Sequence, residues 1–179
     1  MSVTVAGVTS AGMAGEAVLS GDGTYRYVLS RCWDRSLYAL PWVMLNPSTA
    51  DEKTDDPTIM RCVRRAVMAG YGGIRVVNLF ALRATDPAEL ARHPDPVGPE
   101  NDEILTSLAQ VTGHGIIPVV VAWGASVPPR LRERPAAVWE ILDGCRALCL
   151  GKTRDGYPRH PGRLGYDVPF RGFDVTLGA

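Results

Sequence analysis

Four apolar runs, Leu37 to Leu45, Ile74 to Phe80, Ile116 to Ala122 and Ala147 to Leu150, recur along the chain with helix-like segments between them. Short continuous apolar runs suit strands buried on both faces, as in a parallel sheet covered by helices. Strand and helix in alternation then leave few topologies open. The reading is an α/β fold: a three-layer α/β/α domain with a mainly parallel central sheet. Three islands, Leu45-Asn46-Pro47-Ser48, Val76-Val77-Asn78-Leu79-Phe80 and Val121-Ala122-Trp123-Gly124, set a polar or special residue at the end of an apolar run. A fourth, Gly156-Tyr157-Pro158-Arg159-His160-Pro161, follows the last run. The carboxyl ends of parallel strands open on one crevice, so these islands are expected to meet around one ligand, the arrangement of an enzyme.

The remaining segments fill in this frame. Residues 1–15 are rich in glycine, alanine and serine and read as a flexible N-terminal arm, because so little apolar surface cannot support a core. The rest, 16–179, reads as a single domain, in keeping with its length. Glu16 to Leu19 and Tyr25 to Cys32 flank Gly21-Asp22-Gly23, the signature of an antiparallel hairpin at the sheet edge. Asp56 suits a helix cap and Pro57 the first helical position, with Ile59, Val63, Ala66 and Val67 as the apolar stripe and Gly70 as the stop. Arg83 to Pro99 is a long polar stretch with four prolines, the kind of loop that is usually functional or disordered. Helices are expected over Glu100 to Leu108 and from Pro128-Pro129 to Leu142, and a closing strand near Phe173 to Leu177.

Charge argues against a partner held by the global field. Lysine plus arginine equal aspartate plus glutamate at 19 each, so contact with nucleic acid must use a local patch. No run is long and apolar enough for a membrane helix or a secretory signal. The four cysteines, Cys32, Cys62, Cys145 and Cys149, contain no C-x-x-C pair, which fits buried reduced thiols in a cytoplasmic protein better than an iron–sulfur cluster. Asp51, Asp55 and Asp56 match no metal-binding spacing, so neither metal nor organic cofactor is expected. Glycine-rich phosphate loops and hydrolase elbows are absent.

Chemistry then rests on a few side chains. Asn46, where a strand runs into a loop, can hold one water in a fixed direction, or it can close an Asx turn on its own backbone. Asn78, at the end of a buried strand, needs a partner and has the fork to read the edge of a base. Phe80, two residues on, leans to the same face and suits stacking on a planar heterocycle, though it equally suits the core. His160 lies close to Lys152, Arg154, Arg159 and Arg163, a local basic patch. Its arginines can contact phosphates while His160 donates to a developing anion, or the segment is a solvated loop. Trp123-Gly124 reads as packing plus a tight turn.

Taken in order, the islands resemble the uracil-DNA glycosylase superfamily. Leu45-Asn46-Pro47-Ser48 is most similar to the first motif of its mismatch-specific branch, Val77-Asn78-Leu79-Phe80 to its base-reading strand end, Val121-Ala122-Trp123-Gly124 to its Trp-Gly strand end, and His160-Pro161 to its histidine motif. Arg26 to Pro161 more closely resembles a family described only as domain of unknown function 1643. The first motif lacks the aspartate and aromatic residue of the main uracil enzymes. His160-Pro161-Gly162-Arg163 lacks the serine and second proline that help insert a wedge into DNA, which argues against uracil and against a wedge.

The resemblance implies a hydrolase that cleaves the N-glycosidic bond of a flipped base in DNA, whether mismatched or modified. Under it Asn46 and His160 are catalytic. Pro47, Ser48, Asn78, Phe80, Arg154, Arg159 and Arg163 bind the substrate. DNA is then the expected partner, with no membrane contact and no obligate protein partner. Two rivals from other classes stay open: a nucleic-acid or nucleotide-binding module without chemistry, and an enzyme of free nucleotides.

Overall fold

The computed structural model describes residues 1–48, 50–113 and 115–174. Its centre is one eight-stranded sheet, formed by β1 (Ser2–Val8), β2 (Ala14–Ser20), β3 (Arg26–Cys32), β4 (Ala39–Met44), β5 (Gly73–Asn78), β6 (Val119–Val121), β7 (Ala147–Cys149) and β8 (Arg171–Gly172). Their spatial order is β1-β2-β3-β5-β4-β6-β7-β8. The helices are α1 (Pro57–Met68), α2 (Pro87–Arg92), α3 (Asn101–Thr112) and α4 (Arg134–Ile141).

The α/β class agrees with the sequence, but the mainly parallel sheet does not. Only β5-β4, β4-β6 and β6-β7 pair in parallel, whereas β1-β2, β2-β3, β3-β5 and β7-β8 are antiparallel. The four apolar runs account for the parallel centre, and of the antiparallel strands β1 was illegible because it is largely exposed and β8 because it is only two residues long. The expected hairpin forms as β2 and β3, yet it is not at the edge: β3 docks on β5 and β1 lies outside β2. In place of a flexible arm, residues 2–8 form β1, paired with β2 from Ser2–Ser20 to Val8–Ala14. An edge strand is held by its backbone ladder and needs little apolar surface of its own, so composition was a poor guide there.

The pleat divides the core in two. Val43, Val77, Val119 and Val121 join Leu105 and Leu108 of α3 and Val138 of α4, while Trp42, Val76 and Val120 join Ile59, Cys62, Val63 and Ala66 of α1. Alternate residues of β4, β5 and β6 thus face opposite layers, as period-2 geometry demands. Val67, expected in the apolar stripe of α1, is exposed instead.

Helix α1 begins where the sequence indicated. Asp56 Oδ1 accepts from the backbone N–H of both Thr58 and Ile59 at 2.8 Å, and Pro57 occupies the first turn. Asp56→Ala is therefore expected to lower stability by about 0.5–2 kcal/mol, read as the midpoint shift in urea unfolding.

Elsewhere the bounds differ: α3 runs past the expected Leu108 to Thr112, and other elements are shorter. The segment from Pro128 is a 3-10 turn, Pro129–Leu131, followed by α4, and β6 covers only the last part of its apolar run. The Arg83 to Pro99 stretch contains α2, and its end is tied back by Ala81 N–H to Val97 C=O at 3.0 Å. The closing strand is β8; residues 175–177 of the expected strand lie outside the described residues. The described cysteines are free thiols, Cys62 and Cys149 buried. No helix among the described residues is long and apolar enough to cross a membrane.

Candidate functional site

The chain winds from β4 through α1 to β5 on one side, then returns through α3 to β6 on the other. This reversal puts a crevice at the carboxyl ends of β4, β5 and β6, the usual ligand position in an open α/β sheet. A cavity of about 270 Å³ lies there. Asn46, Ser48, Asn78 and His160, from three of the four islands, line it together with Trp123 and Gly124 from the other.

Asn46 is half-buried, and its amide orientation is settled by its neighbours. Nδ2 donates to Pro47 C=O at 2.9 Å and to Ala84 C=O at 2.7 Å. Both donors are spent on backbone, so the side chain offers the cavity an acceptor, Oδ1. The side chain thus bonds backbone through Nδ2 and not as an Asx turn, in which its oxygen would accept. Pro47 is buried and contributes through its carbonyl, which also accepts from Ala84 N–H at 3.0 Å; it is not part of the cavity wall.

Asn78 is 2% exposed, and its Nδ2 has no hydrogen-bond partner among the described residues. The turn that follows it is clamped from α3 and α4. Asn101 Nδ2 donates to the Asn78 and Leu79 carbonyls at 3.1 Å each, and Arg134 Nε donates to Leu79 C=O at 2.8 Å. Phe80 is not a wall residue. It is fully buried in the core layer beneath α3, so the stacking role expected of it is corrected to packing. Past the end of β5 the chain turns, and the strand alternation that put Phe80 on the same face as Asn78 no longer holds.

His160 stands at the mouth and is exposed, its ring only partly shielded from solvent. Its Nδ1 accepts from Gly162 N–H at 3.1 Å, which leaves Nε2 to carry the proton of the neutral ring. Partial burial holds its pKa below the ordinary histidine value, against a smaller pull upward from Asp56. Gly124 makes this approach feasible: its φ is +73°, and a Cβ there would lie 3.2 Å from that of His160. Trp123-Gly124 therefore packs and turns, as its sequence suggested. Trp123 also stacks edge-on against Phe173 at 6.0 Å, and its Nε1 has no partner among the described residues.

Arg154, Arg159 and Arg163 are exposed, flank the His160 segment and stand outside the cavity wall. The aspartates near Asn46 are committed to structure. Asp55 pairs with Arg31 at 2.7 Å, Asp51 Oδ1 accepts from Lys53 and Thr54 N–H, and Asp56 caps α1. No group of three or more metal-ligating side chains is assembled among the described residues.

Arg26 is a wall residue that the motifs did not reveal. It is 3% exposed, and burial pushes its pKa down to about 10, with Asp56 the largest opposing influence. A charged residue in the strand-like run Tyr25 to Cys32 was the available signal, but Arg31 gives the same signal and turns out to be structural.

A family profile matches residues 26–162, more than half of the chain, and is described as "Protein of unknown function (DUF1643)". The chain belongs to that family. The family match opens at Arg26 and closes just past His160, so it takes in every residue named above in the cavity wall. No curated protein and no solved structure matches the chain. Nothing in these comparisons links it to the uracil-DNA glycosylases.

Proposed function

We propose that the protein is a DNA glycosylase-like hydrolase that accepts a flipped, modified base and cleaves its N-glycosidic bond. The observation that carries this reading is the meeting of Asn46, Asn78 and His160 in one cavity at the carboxyl ends of the parallel strands. In it, Asn46 Oδ1 accepts a hydrogen bond from a water and directs the water's oxygen toward C1′ of the sugar. Asn78 Nδ2 donates to an acceptor on the base edge, and the Nε2–H of His160 donates to the base as negative charge develops on departure. Pro47 fixes Asn46 from behind, and Ser48 lines the site beside it. Base specificity falls to Asn78 and the cavity shape, since Phe80 is in the core.

Arg154, Arg159 and Arg163 would hold backbone phosphates around the mouth. Replacing Arg159 and Arg163 together is expected to weaken DNA binding and flatten the dependence of log Kd on log salt, by up to about 0.9 for each phosphate of duplex DNA no longer neutralised. An unchanged slope would remove them from the interface. The reading itself is tested by incubating the protein with DNAs carrying varied natural and modified bases and analysing released bases by mass spectrometry, with abasic-site formation as a second readout. Released base with matching abasic sites supports it. DNA retarded without product favours a binding module, and turnover of free nucleotides with duplex ignored favours a nucleotide enzyme.

A further inference from the structure

Three of the described arginines are buried, and of these Arg26 is the one that lines the cavity. Arg31 pairs with Asp55 and donates to the carbonyls of Ser30, Asp51 and Thr54. Arg65 lacks an ion pair and a partner for Nε among the described residues, but its terminal nitrogens donate to the carbonyls of Leu164, Gly165 and Val168 and it lies against the Tyr166 ring, away from the cavity. Arg26 has far less: one terminal nitrogen donates to Ala50 C=O, its Nε has no partner, and no carboxylate among the described residues lies within ion-pair distance. Asp56 shares the cavity wall but uses Oδ1 on the first turn of α1.

A desolvated guanidinium with no carboxylate in ion-pair contact is costly, and buried charges are ordinarily paired; Asp56 acts on it only from a longer distance. The rest of the wall points the same way. Asn78 Nδ2 and Trp123 Nε1 are further buried donors without partners among the described residues, so the unmet buried side-chain groups in this wall are all N–H donors. The matching ligand is rich in acceptors and carries negative charge, and a guanidinium fork fits an oxyanion.

We propose that Arg26 is the anion-binding residue of this cavity and that its ligand is nucleotide-sized and carries an oxyanion, either a phosphate or a carboxylate on a heterocycle. This goes beyond the glycosylase reading, because it concerns what the cavity holds whether or not a bond is then cleaved.

The test is calorimetric binding to the intact protein with paired probes that differ in the oxyanion: thymidine against thymidine 5′-monophosphate, and uracil against orotate. At least one charged probe is expected to bind about 10- to 100-fold more tightly than its neutral partner, the range for hydrogen bonds to a charged group. The pair that shows the gain identifies the source of the oxyanion. Arg26→Gln is expected to abolish the gain and Arg26→Lys to keep part of it. Because Arg26→Gln can disturb the Ala50 turn, the native protein supplies a second readout: the Arg26 Nε–H resonance should move on titration with the charged probe only. Equal binding within both pairs, no binding by either anion, an unmoved Nε–H resonance, or a gain that survives Arg26→Gln but falls in the Arg159/Arg163 double variant would each overturn the proposal.

Discussion

Asn46→Ala is expected to slow base release by about 10²- to 10⁴-fold while leaving DNA affinity nearly unchanged, because orienting a nucleophile contributes to the transition state and little to ground-state binding. The side chain also secures the carbonyls of Pro47 and Ala84; its removal leaves Pro47 C=O with the Ala84 N–H and Ala84 C=O without its donor, at a cost of about 1–3 kcal/mol of stability if that carbonyl stays dry. A melt must therefore accompany the kinetics. Asn46→Asp is the sharper variant. It keeps an oxygen for the water but faces two carbonyls with an acceptor, so lost activity with a displaced Ala84 loop would identify orientation as the contribution. Full turnover by a folded Asn46→Ala protein would remove Asn46 from the mechanism.

Phe80→Ala is expected to destabilise the fold by about 3–5 kcal/mol, the usual cost of truncating a buried aromatic residue, with no change in which base is bound or released by the protein that remains folded. A destabilisation on this scale can unfold a domain whose whole stability is about 5–15 kcal/mol. Phe80→Leu separates packing from recognition. It retains most of the apolar volume, so stability should largely recover, whereas a stacking role would still be lost without the ring. Urea unfolding midpoints for both variants and binding of the favoured base to Phe80→Leu decide the matter. A stable Phe80→Leu protein that had lost its base preference would return Phe80 to the site.

Local signals carried much of the centre of this protein. The four apolar runs made the strands β4 to β7, Asp56-Pro57 started α1 with the predicted cap, and Gly21-Asp22-Gly23 turned the hairpin. Each of these depends on neighbours within a few residues, which is why periodicity and capping chemistry sufficed. Asn46 and Asn78 stood out for a related reason: a polar residue closing a buried apolar run is conspicuous in one dimension, and topology then brings run ends together; His160, in a loop beyond the last run, stood out by its basic neighbours.

What the chain could not disclose locally depends on partners far away in sequence. Phe80 and Asn78 look alike as strand-end residues, but the turn clamped by Asn101 and Arg134 places one in the core and the other in the cavity wall. Arg26 and Arg31 are both arginines in one strand, and only packing shows that Asp55 neutralises the second and nothing equivalent among the described residues meets the first. β1 is invisible to composition because its stability comes from a ladder with β2. The sequence by itself determined the parallel strands, the start of α1 and the polar strand ends that face one crevice. Tertiary structure alone decided the antiparallel flanks and which buried groups are satisfied, because hydrogen bonding and charge compensation are settled by groups that meet only after the chain has folded.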